Sequence, residues 1–173
     1  MEQKLQDIED FCIKVFLIPC EGYAKKLPNG DCLAYPDPAT KDDPVKKGKP
    51  WTIGYGSTFD ETGAIVKEGD IWSHDKAIAV KKIVLRKFLI ELLKYSPVLK
   101  NEPIERVAAV LSWYYNLGSG NYRVSTFKKK IDNKEWFQAA EQCKLWDKAN
   151  GRKLKGLTIR RTLESLYINK TYQ

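Results

Sequence analysis

Histidine, paired cysteines and long apolar runs are scarce in this sequence of 173 residues, and each scarcity excludes a class of protein. The single histidine, His74, argues against a histidine-dependent triad, and no two cysteines have Cys-x-x-Cys spacing, so neither a metal site nor a cofactor is expected. No GxSxG, Walker or GxGxxG motif occurs, which argues against α/β-hydrolase, P-loop and dinucleotide-binding chemistry.

Membrane and export signals are also missing. The apolar run FCIKVFLI contains a lysine and is too short to span a bilayer, and the segment MEQKLQDIED is acidic where a signal peptide is basic. We therefore expect synthesis in the cytoplasm and no stable membrane insertion. Cys12, Cys20, Cys32 and Cys143 are then expected as thiols, although a Cys20–Cys32 disulfide stays open because the two are near in sequence.

Positive charge and aromatic residues are plentiful. Thirty Lys and Arg against 22 Asp and Glu give a formal net charge of +8, which favours polyanionic partners such as nucleic acid, anionic lipid or acidic wall polymer. The basic residues are scattered and no nucleic-acid motif occurs, so we expect no nucleic-acid partner. Five Trp, nine Tyr and six Phe can fill a core and line a cleft for ring-shaped ligands.

The apolar pattern predicts an α+β fold, with residues 1–173 forming a single domain of two lobes. An amphipathic helix is expected within residues 1–20, and Pro19 should end it. Over about 21–68, prolines, glycines and the Asn29-Gly30 dipeptide indicate a small antiparallel sheet, in which WTIGYGST is one strand. A cleft between this lobe and a helical lobe is the usual place for a ligand.

The helical lobe is predicted over about 70–173. Several helices are expected there: a long one capped by Ser73, one that ends at Gly118, a short one after Ser125, one around KEWFQAAEQCKLW and one over about 157–167.

Carboxylates are the remaining candidates for catalysis. Glu21 follows the first helix at the border of the two lobes, where partial burial would favour its protonated form as a general acid. Asp37 in AYPDP and Thr52 in WTIG could hold a water molecule, and two carboxyl groups with a water are the minimal set for glycoside hydrolysis. Judged on spacing alone, capping and turn formation are the commoner roles for such residues.

Seven motifs in order resemble the phage-type lysozymes, the family 24 glycoside hydrolases that are muramidases made as endolysins. They are CEG, LAYPD, WTIGYGST, WYYNLGSGNY, STFKKKID, AAEQCKLW and GLTIRRTLE. The resemblance covers nearly the whole chain and implies a lysozyme-like fold with a catalytic set of Glu21, Asp37 and Thr52. Glu21 would protonate the β-1,4 bond between N-acetylmuramic acid and N-acetylglucosamine, while Asp37 and Thr52 would direct water to the opposite face of the sugar, with inversion.

The resemblance also implies residues that contact substrate from outside this set. They are Thr58, Tyr115, Asn116, Ser125 and Gln142. Alternatives stay open: Tyr115 and Asn116 could close a helix and Ser125 could be a helix cap. Arg160 and Arg161 match the family pattern as well, and we expect them to form structural ion pairs between helices.

One segment departs from the family pattern. The insert at 38–50, PATKDDPVKKGKP, lengthens the spacing between Asp37 and Thr52 and adds Asp42 and Asp43 as rivals for the water-positioning role. Asp37 is preferred because AYPD matches the family motif, and the insert is expected to be a flexible, solvated loop.

The resemblance implies a monomeric peptidoglycan hydrolase that accumulates in the host cytoplasm and reaches the periplasmic wall after the membrane is permeabilised. Two alternatives stay open. A lytic transglycosylase on a similar scaffold would need the glutamate but no water-activating aspartate, and it would leave anhydro-muramic ends. A non-catalytic basic protein would bind glycan or nucleic acid without cleaving it, with steep salt dependence for nucleic acid.

Overall fold

The computed structural model describes residues 2–37 and 40–172. Two compact units are formed, one by Met1–Cys20 with Leu85–Gln173 and the other by Glu21–Val84. Residues 38 and 39 of the insert lie outside the described part of the chain. Helices dominate and the strands are short and antiparallel, so the predicted α+β class is confirmed.

The N-terminal helix continues through Pro19. It comprises α1 (Glu2–Cys12), a π-helical turn (Ile13–Leu17) and α2 (Ile18–Glu21). Proline lacks an N–H and its ring crowds the carbonyl of the preceding turn. Here the N–H of Ile18 bonds to the carbonyl of Ile13, a wider turn that relieves this crowding. The prediction that Pro19 ends the helix is therefore wrong, and Glu21 lies at the helix end.

The remaining helices follow the predicted order. They are α3 (His74–Tyr95), a 3₁₀ turn (Pro97–Asn101), α4 (Ile104–Val124), α5 (Thr126–Asp132), α6 (Trp136–Lys144) and α7 (Lys155–Asn169). Ser73 accepts a hydrogen bond from the N–H of Lys76, which confirms the predicted cap of α3. Gly118 has φ of 80° and divides α4 at the point where the sequence predicts a helix end.

The core of the larger unit is built around α4, which packs against α1 and α7. Residues 107–114 of α4 are buried. The ring of Trp113 lies 4.7 Å from that of Phe127, 5.2 Å from that of Trp146 and 5.9 Å from that of Tyr122, measured between centroids. Such aromatic packing fixes the helices of this unit against one another. Among the described residues, no helix combines the length and hydrophobicity needed to cross a bilayer.

The smaller unit contains two antiparallel ladders. Strand β1 (Cys32–Leu33) pairs with β4 (Ile71–Trp72), and β2 (Tyr35–Pro36) pairs with β3 (Trp51–Thr52). Before β1, the Asn29-Gly30 dipeptide forms a tight turn, closed by a bridge between Lys26 and Cys32. The small antiparallel lobe is thus present, with strands of two residues each.

The motif WTIGYGST forms a strand end and a turn, so its prediction as one strand is wrong. Only Trp51 and Thr52 belong to β3, and Ile53 and Ser57 exchange two backbone hydrogen bonds of 2.9 and 3.0 Å. Gly54, with φ of 58°, allows this turn, since a Cβ there would lie 2.8 Å from the Cβ of Ala77.

One hairpin was missed. Strand β5 (Lys148–Ala149) pairs with β6 (Arg152–Lys153) between two helices. Asn150 and Gly151 both have positive φ, as a type I′ turn requires. The Asn-Gly dipeptide at this position was a signal for the hairpin within a region predicted to be helical.

Candidate active site

Glu21 is the last residue of α2 and is only partly exposed. Gly22 follows with φ of 69°, the left-handed conformation that commonly ends a helix. The Glu21 side chain is 20% exposed, and its Oε2 lies 3.3 Å from Nζ of Lys81, a side chain that is 3% exposed. A lysine so deeply buried requires a counter-ion, and the Glu21 carboxylate is one.

Asp37 follows β2 directly, and its main chain is held by the insert. The Asp37 N–H donates to the carbonyl of Gly48 at 2.9 Å, and the Asp37 carbonyl accepts the N–H of Thr40 at 2.9 Å. The Thr40 hydroxyl donates to the carbonyl of Lys49 at 2.9 Å. Residues 40–49 therefore form a hydrogen-bonded loop that holds the main chain of Asp37 in place. The sequence predicted a flexible loop here and did not predict these hydrogen bonds.

Thr52 lies on β3, opposite Tyr35 of β2 in the ladder. Its exposed fraction is 9%. The ladder brings Thr52 near Asp37. Tyr35 pairs with Thr52 and Pro36 pairs with Trp51, and Asp37 is the residue that follows Pro36. Strand pairing across the insert thus brings together two residues that are fifteen positions apart in the sequence.

Tyr35 stands opposite Thr52 and two residues before Asp37, and it is half-buried. The pKa of this phenol is raised, first by burial and then by the Asp37 carboxylate and, more weakly, by the Glu21 carboxylate, while the Lys81 ammonium lowers it. Asp37, Glu21 and Lys81 therefore all lie within electrostatic range of one side chain that stands opposite Thr52. The proposed acid, the proposed base and the hydroxyl all belong to the Glu21–Val84 unit.

The two rival aspartates have other roles. The Asp42 side chain is 88% exposed and lies 4.0 Å from the ammonium of Lys41. The Asp43 side chain accepts the N–H groups of Val45 and Lys46 at 2.8 and 2.9 Å, so it caps a turn of the insert. These contacts favour Asp37 for the role near Thr52.

Three of the residues expected to contact substrate, Thr58, Tyr115 and Asn116, each make a defined contact within the protein. Thr58 is half-buried, and its carbonyl accepts the N–H of Val66 at 2.9 Å. The ring of Tyr115 packs edge-on against Phe88 at 5.2 Å. Asn116 accepts a hydrogen bond of 2.9 Å from Arg161. A role in substrate contact remains a prediction for each of them.

Ser125 and Gln142 differ in their environments. Ser125 is 5% exposed; its hydroxyl accepts the N–H of Lys128 at 3.0 Å and donates to the carbonyl of Tyr122 at 2.8 Å. The open alternative of a helix cap is therefore realised at the start of α5. Gln142 lies on α6 and is half-buried. Substrate contact by these two residues remains a prediction.

Arg160 and Arg161 form a buried charged cluster with Glu164 on α7. Arg160 Nε lies 3.2 Å from Oε1 of Glu164, and Arg161 Nε lies 3.2 Å from Oε2. The same carboxylate accepts a hydrogen bond of 2.6 Å from Ser112 of α4. Burial raises the pKa of Glu164 and lowers the pKa of Arg161. The two arginines do form structural ion pairs, but the prediction that these pairs join different helices is wrong, because the acidic partner lies on the same helix and only Ser112 connects the cluster to α4.

Lys81 contacts Glu21 and Tyr35 stands opposite Thr52, and the sequence predicted neither neighbour. Lys81 lies four residues after Ala77 and four before Leu85, both buried, so it interrupts an apolar face of α3. A lysine on such a face is the signal of a buried charge with a partner. His74 also makes contacts that were not predicted. It is exposed, but its Nε2 lies 2.9 Å from the hydroxyl of Tyr55, and its ring packs on that of Tyr23.

The fold is that of the phage endolysins, as two solved structures show. An endolysin from the Escherichia coli O157:H7 phage FAHEc1 superposes with a TM-score of 0.66 at 24% identity, over 97% of this chain and 91% of that one. The active form of the P1 phage endolysin Lyz gives a TM-score of 0.68 at 18% identity, over 91% and 82% of the two chains. The predicted lysozyme-like fold is confirmed.

Sequence comparison then gives the family. The family profile described as phage lysozyme matches residues 34–164, and the chain belongs to this family. A relative named SAR-endolysin, from Bacteriophage PS119, is 32% identical over 115 residues. That match spans 65% of this chain and 64% of the relative. The predicted resemblance to phage-type lysozymes is thereby confirmed.

Proposed function

We propose that this protein is an endolysin that hydrolyses the β-1,4 bond between N-acetylmuramic acid and N-acetylglucosamine in peptidoglycan. The observation that carries the proposal is geometric: Thr52 opposes Tyr35 in the β2–β3 ladder, Asp37 directly follows β2, and the partly buried Glu21 is paired with Lys81 of the same unit. Family membership supports the same chemistry. In this reaction Glu21 is the general acid, and Asp37 with Thr52 positions the attacking water.

The physical demands on the two carboxyl groups differ. Glu21 must deliver a proton to the glycosidic oxygen, so its carboxylate, which pairs with Lys81 in the free protein, has to take up a proton before the bond is cut. Asp37 must accept a proton from water on the other face of the sugar, so inversion needs carboxyl groups on the order of 6.5–9.5 Å apart. The hydrogen-bonded insert and the β2–β3 ladder restrain Asp37 and Thr52, which limits the reorganisation needed to reach the transition state.

The remaining assignments follow from the same proposal. Thr58, Tyr115, Asn116, Ser125 and Gln142 contact the glycan around the scissile bond. The protein acts as a monomer, with a basic surface that suits a wall polymer bearing carboxylates. It accumulates in the host cytoplasm and reaches the periplasmic wall once the membrane has been permeabilised. Fractionation of infected cells before and after membrane permeabilisation tests this location, and a periplasmic pool beforehand contradicts it.

Digestion of purified peptidoglycan with mass analysis of the products tests the reaction. We expect reducing muramic ends with one added water per cut, and proton NMR of fresh product should show inversion at the anomeric carbon. Anhydro-muramic ends would instead establish a lytic transglycosylase. Binding without any cleavage would establish a non-catalytic glycan-binding protein.

Two substitutions and a matched control test the residue roles. Glu21→Gln and Asp37→Asn should each fold normally and reduce the cleavage rate by at least about 100-fold, the usual scale for loss of an acid or base. Asp42→Asn, in the exposed part of the insert, should retain the rate of the parent protein within a factor of two. Near-parental cleavage by Glu21→Gln would overturn the assignment of the acid.

A further inference from the structure

The insert encloses a groove that the proposed catalytic set does not use. Its volume is about 740 Å³, within the range of small-ligand sites. We call it the insert groove; it is lined by the apolar residues Pro50, Trp51 and Ile65 and by the basic residues Lys46, Lys49 and Lys67. All these residues belong to the Glu21–Val84 unit.

The wall of the groove is held in place by main-chain hydrogen bonds. The carbonyl of Asp43 accepts the N–H of Lys47 at 2.8 Å, and the carbonyl of Thr40 accepts the N–H of Gly48 at 2.9 Å. Gly48 is buried, and a Cβ at this position would lie 2.4 Å from the Cβ of Pro36. The loop is therefore anchored on β2, so its lysines are presented from a fixed backbone.

The groove carries excess positive charge. Lys46, Lys49 and Lys67 are exposed, and Glu68 is the one acidic side chain that lines it. Within residues 2–37 and 40–172, none of these three lysines forms an ion pair. Three ammonium groups around a concave surface attract an anion with several carboxylates or phosphates.

Trp51 gives the groove an apolar face. It is half-buried, and in the described part of the chain no other aromatic ring stacks on it. Trp51 and Thr52 are consecutive in β3, so their side chains point to opposite faces of the ladder. The insert groove is thus separated from the predicted catalytic hydroxyl by the thickness of one strand.

We propose that the insert groove binds a second segment of the wall polymer, a glycan whose peptide stems carry carboxylates. This inference rests on the proposed function. The apolar face of a sugar ring packs on Trp51 and Ile65, and stem carboxylates pair with Lys46, Lys49 and Lys67. Because the groove and the catalytic set lie on different faces of β3, one segment can be held while another is cut, which keeps the enzyme on the wall.

A binding experiment on purified sacculi tests the groove without cleavage. The Glu21→Gln protein is compared with the same protein carrying Lys46→Gln, Lys49→Gln and Lys67→Gln. The control carries Lys26→Gln, Lys87→Gln and Lys129→Gln, three exposed lysines outside the groove. Cosedimentation should show about tenfold weaker binding for the groove variant, since three surface ion pairs together reach that scale, and a loss of no more than twofold for the control. Thermal melting checks that both fold.

The outcomes separate the possibilities. If both triple variants lose sacculus binding equally, the loss comes from the change in net charge and the proposal is overturned. Undiminished binding by the groove variant would also overturn it. Binding to vesicles that contain phosphorylated lipopolysaccharide is measured as a second arm. If the groove variant loses binding to these vesicles but not to sacculi, the groove binds a phosphate ligand, and the proposal of a wall-polymer site is overturned. If the parent protein binds sacculi through the groove yet cuts no bond, the proposed function fails while the groove remains.

Discussion

Oε2 of Glu21 lies 3.3 Å from Nζ of Lys81, and the lysine side chain is almost completely buried. Lys81 comes from α3 and Glu21 from the end of α2, so the pair ties two separate segments of the smaller unit together. A charge pair in this setting restricts the carboxyl to few orientations. We infer that Lys81 positions the proposed acid without itself contacting the reacting atoms.

Replacing Lys81 by Met tests this positioning role. Met retains most of the apolar length of lysine and removes the charge, so the fold should survive, while loss of the restraint should lower kcat by about 10–100-fold. KM should change by less than about threefold because the substrate contacts remain. The conservative Lys81→Arg should recover part of kcat. A rise in KM alone, with kcat retained, would contradict the positioning role.

Gly48 offers a test of the link between the insert and Asp37. Gly48→Ala places a methyl group against Pro36, at 2.4 Å before relaxation, and at a φ of 77° that disfavours alanine. The left-handed conformation alone should cost about 1 kcal/mol or more in unfolding free energy. Because the Gly48 carbonyl also binds the N–H of Asp37, cleavage should fall as well.

Urea unfolding and a turbidity assay on permeabilised Gram-negative cells measure these two effects. Gly63→Ala is the matched control, since Gly63 has φ of 88° and open space where the added methyl group would lie. It should lose stability to a similar degree from the backbone strain yet keep its cleavage rate. Equal loss of cleavage in both variants would show that Gly48 matters only for stability.

The cysteines should differ sharply in reactivity. Cys20 is exposed, whereas Cys12, Cys32 and Cys143 are buried, and no disulfide joins any two of these four described residues. Burial raises the pKa of Cys143 well above its ordinary value, and the neighbouring Glu164 adds to this, so its thiol stays protonated and unreactive at pH 8. A thiol reagent should modify one group in the native protein and four after unfolding. Replacement of the exposed thiol by Cys20→Ser should abolish the native reaction.

The cluster of Arg160, Arg161 and Glu164 should be essential for stability. Glu164→Leu leaves two buried guanidinium groups without their shared carboxylate, and loss of one partner of a buried charge pair costs about 3–5 kcal/mol. Exposed Glu141→Leu on α6 is the control and should change unfolding free energy by less than about 1 kcal/mol. Denaturant titration measures both; a loss below about 1 kcal/mol for Glu164→Leu would contradict this role.

The pKa shift of Glu164 adds a pH dependence with a definite sign. Its pKa is raised in the folded state, so the folded protein binds its proton more readily than the unfolded chain does. Titration of this group therefore lowers the free energy of unfolding as the pH rises above the ordinary glutamate pKa, relative to its value at lower pH. Glu164→Gln should flatten that part of the stability profile.

Local patterns predicted the elements that depend on neighbouring residues. Ser73 and Ser125 cap the helices they precede, Gly118 interrupts α4, and Asn29-Gly30 makes a tight turn. Each of these uses contacts within four residues, which a sequence pattern contains. The extension of the first helix past Pro19 was not predicted, because it depends on a π-helical turn that no local rule requires.

The amino-acid sequence by itself determined the α+β class, the helix order and, through seven ordered motifs, the resemblance to phage-type lysozymes with Glu21, Asp37 and Thr52 as candidates. Tertiary structure decided which groups surround those candidates: the buried Lys81, the phenol of Tyr35 and the carbonyl of Gly48. The reason is physical. Burial, strand register and ion pairing join residues far apart in the chain, and their free energy depends on distances that only the folded structure sets.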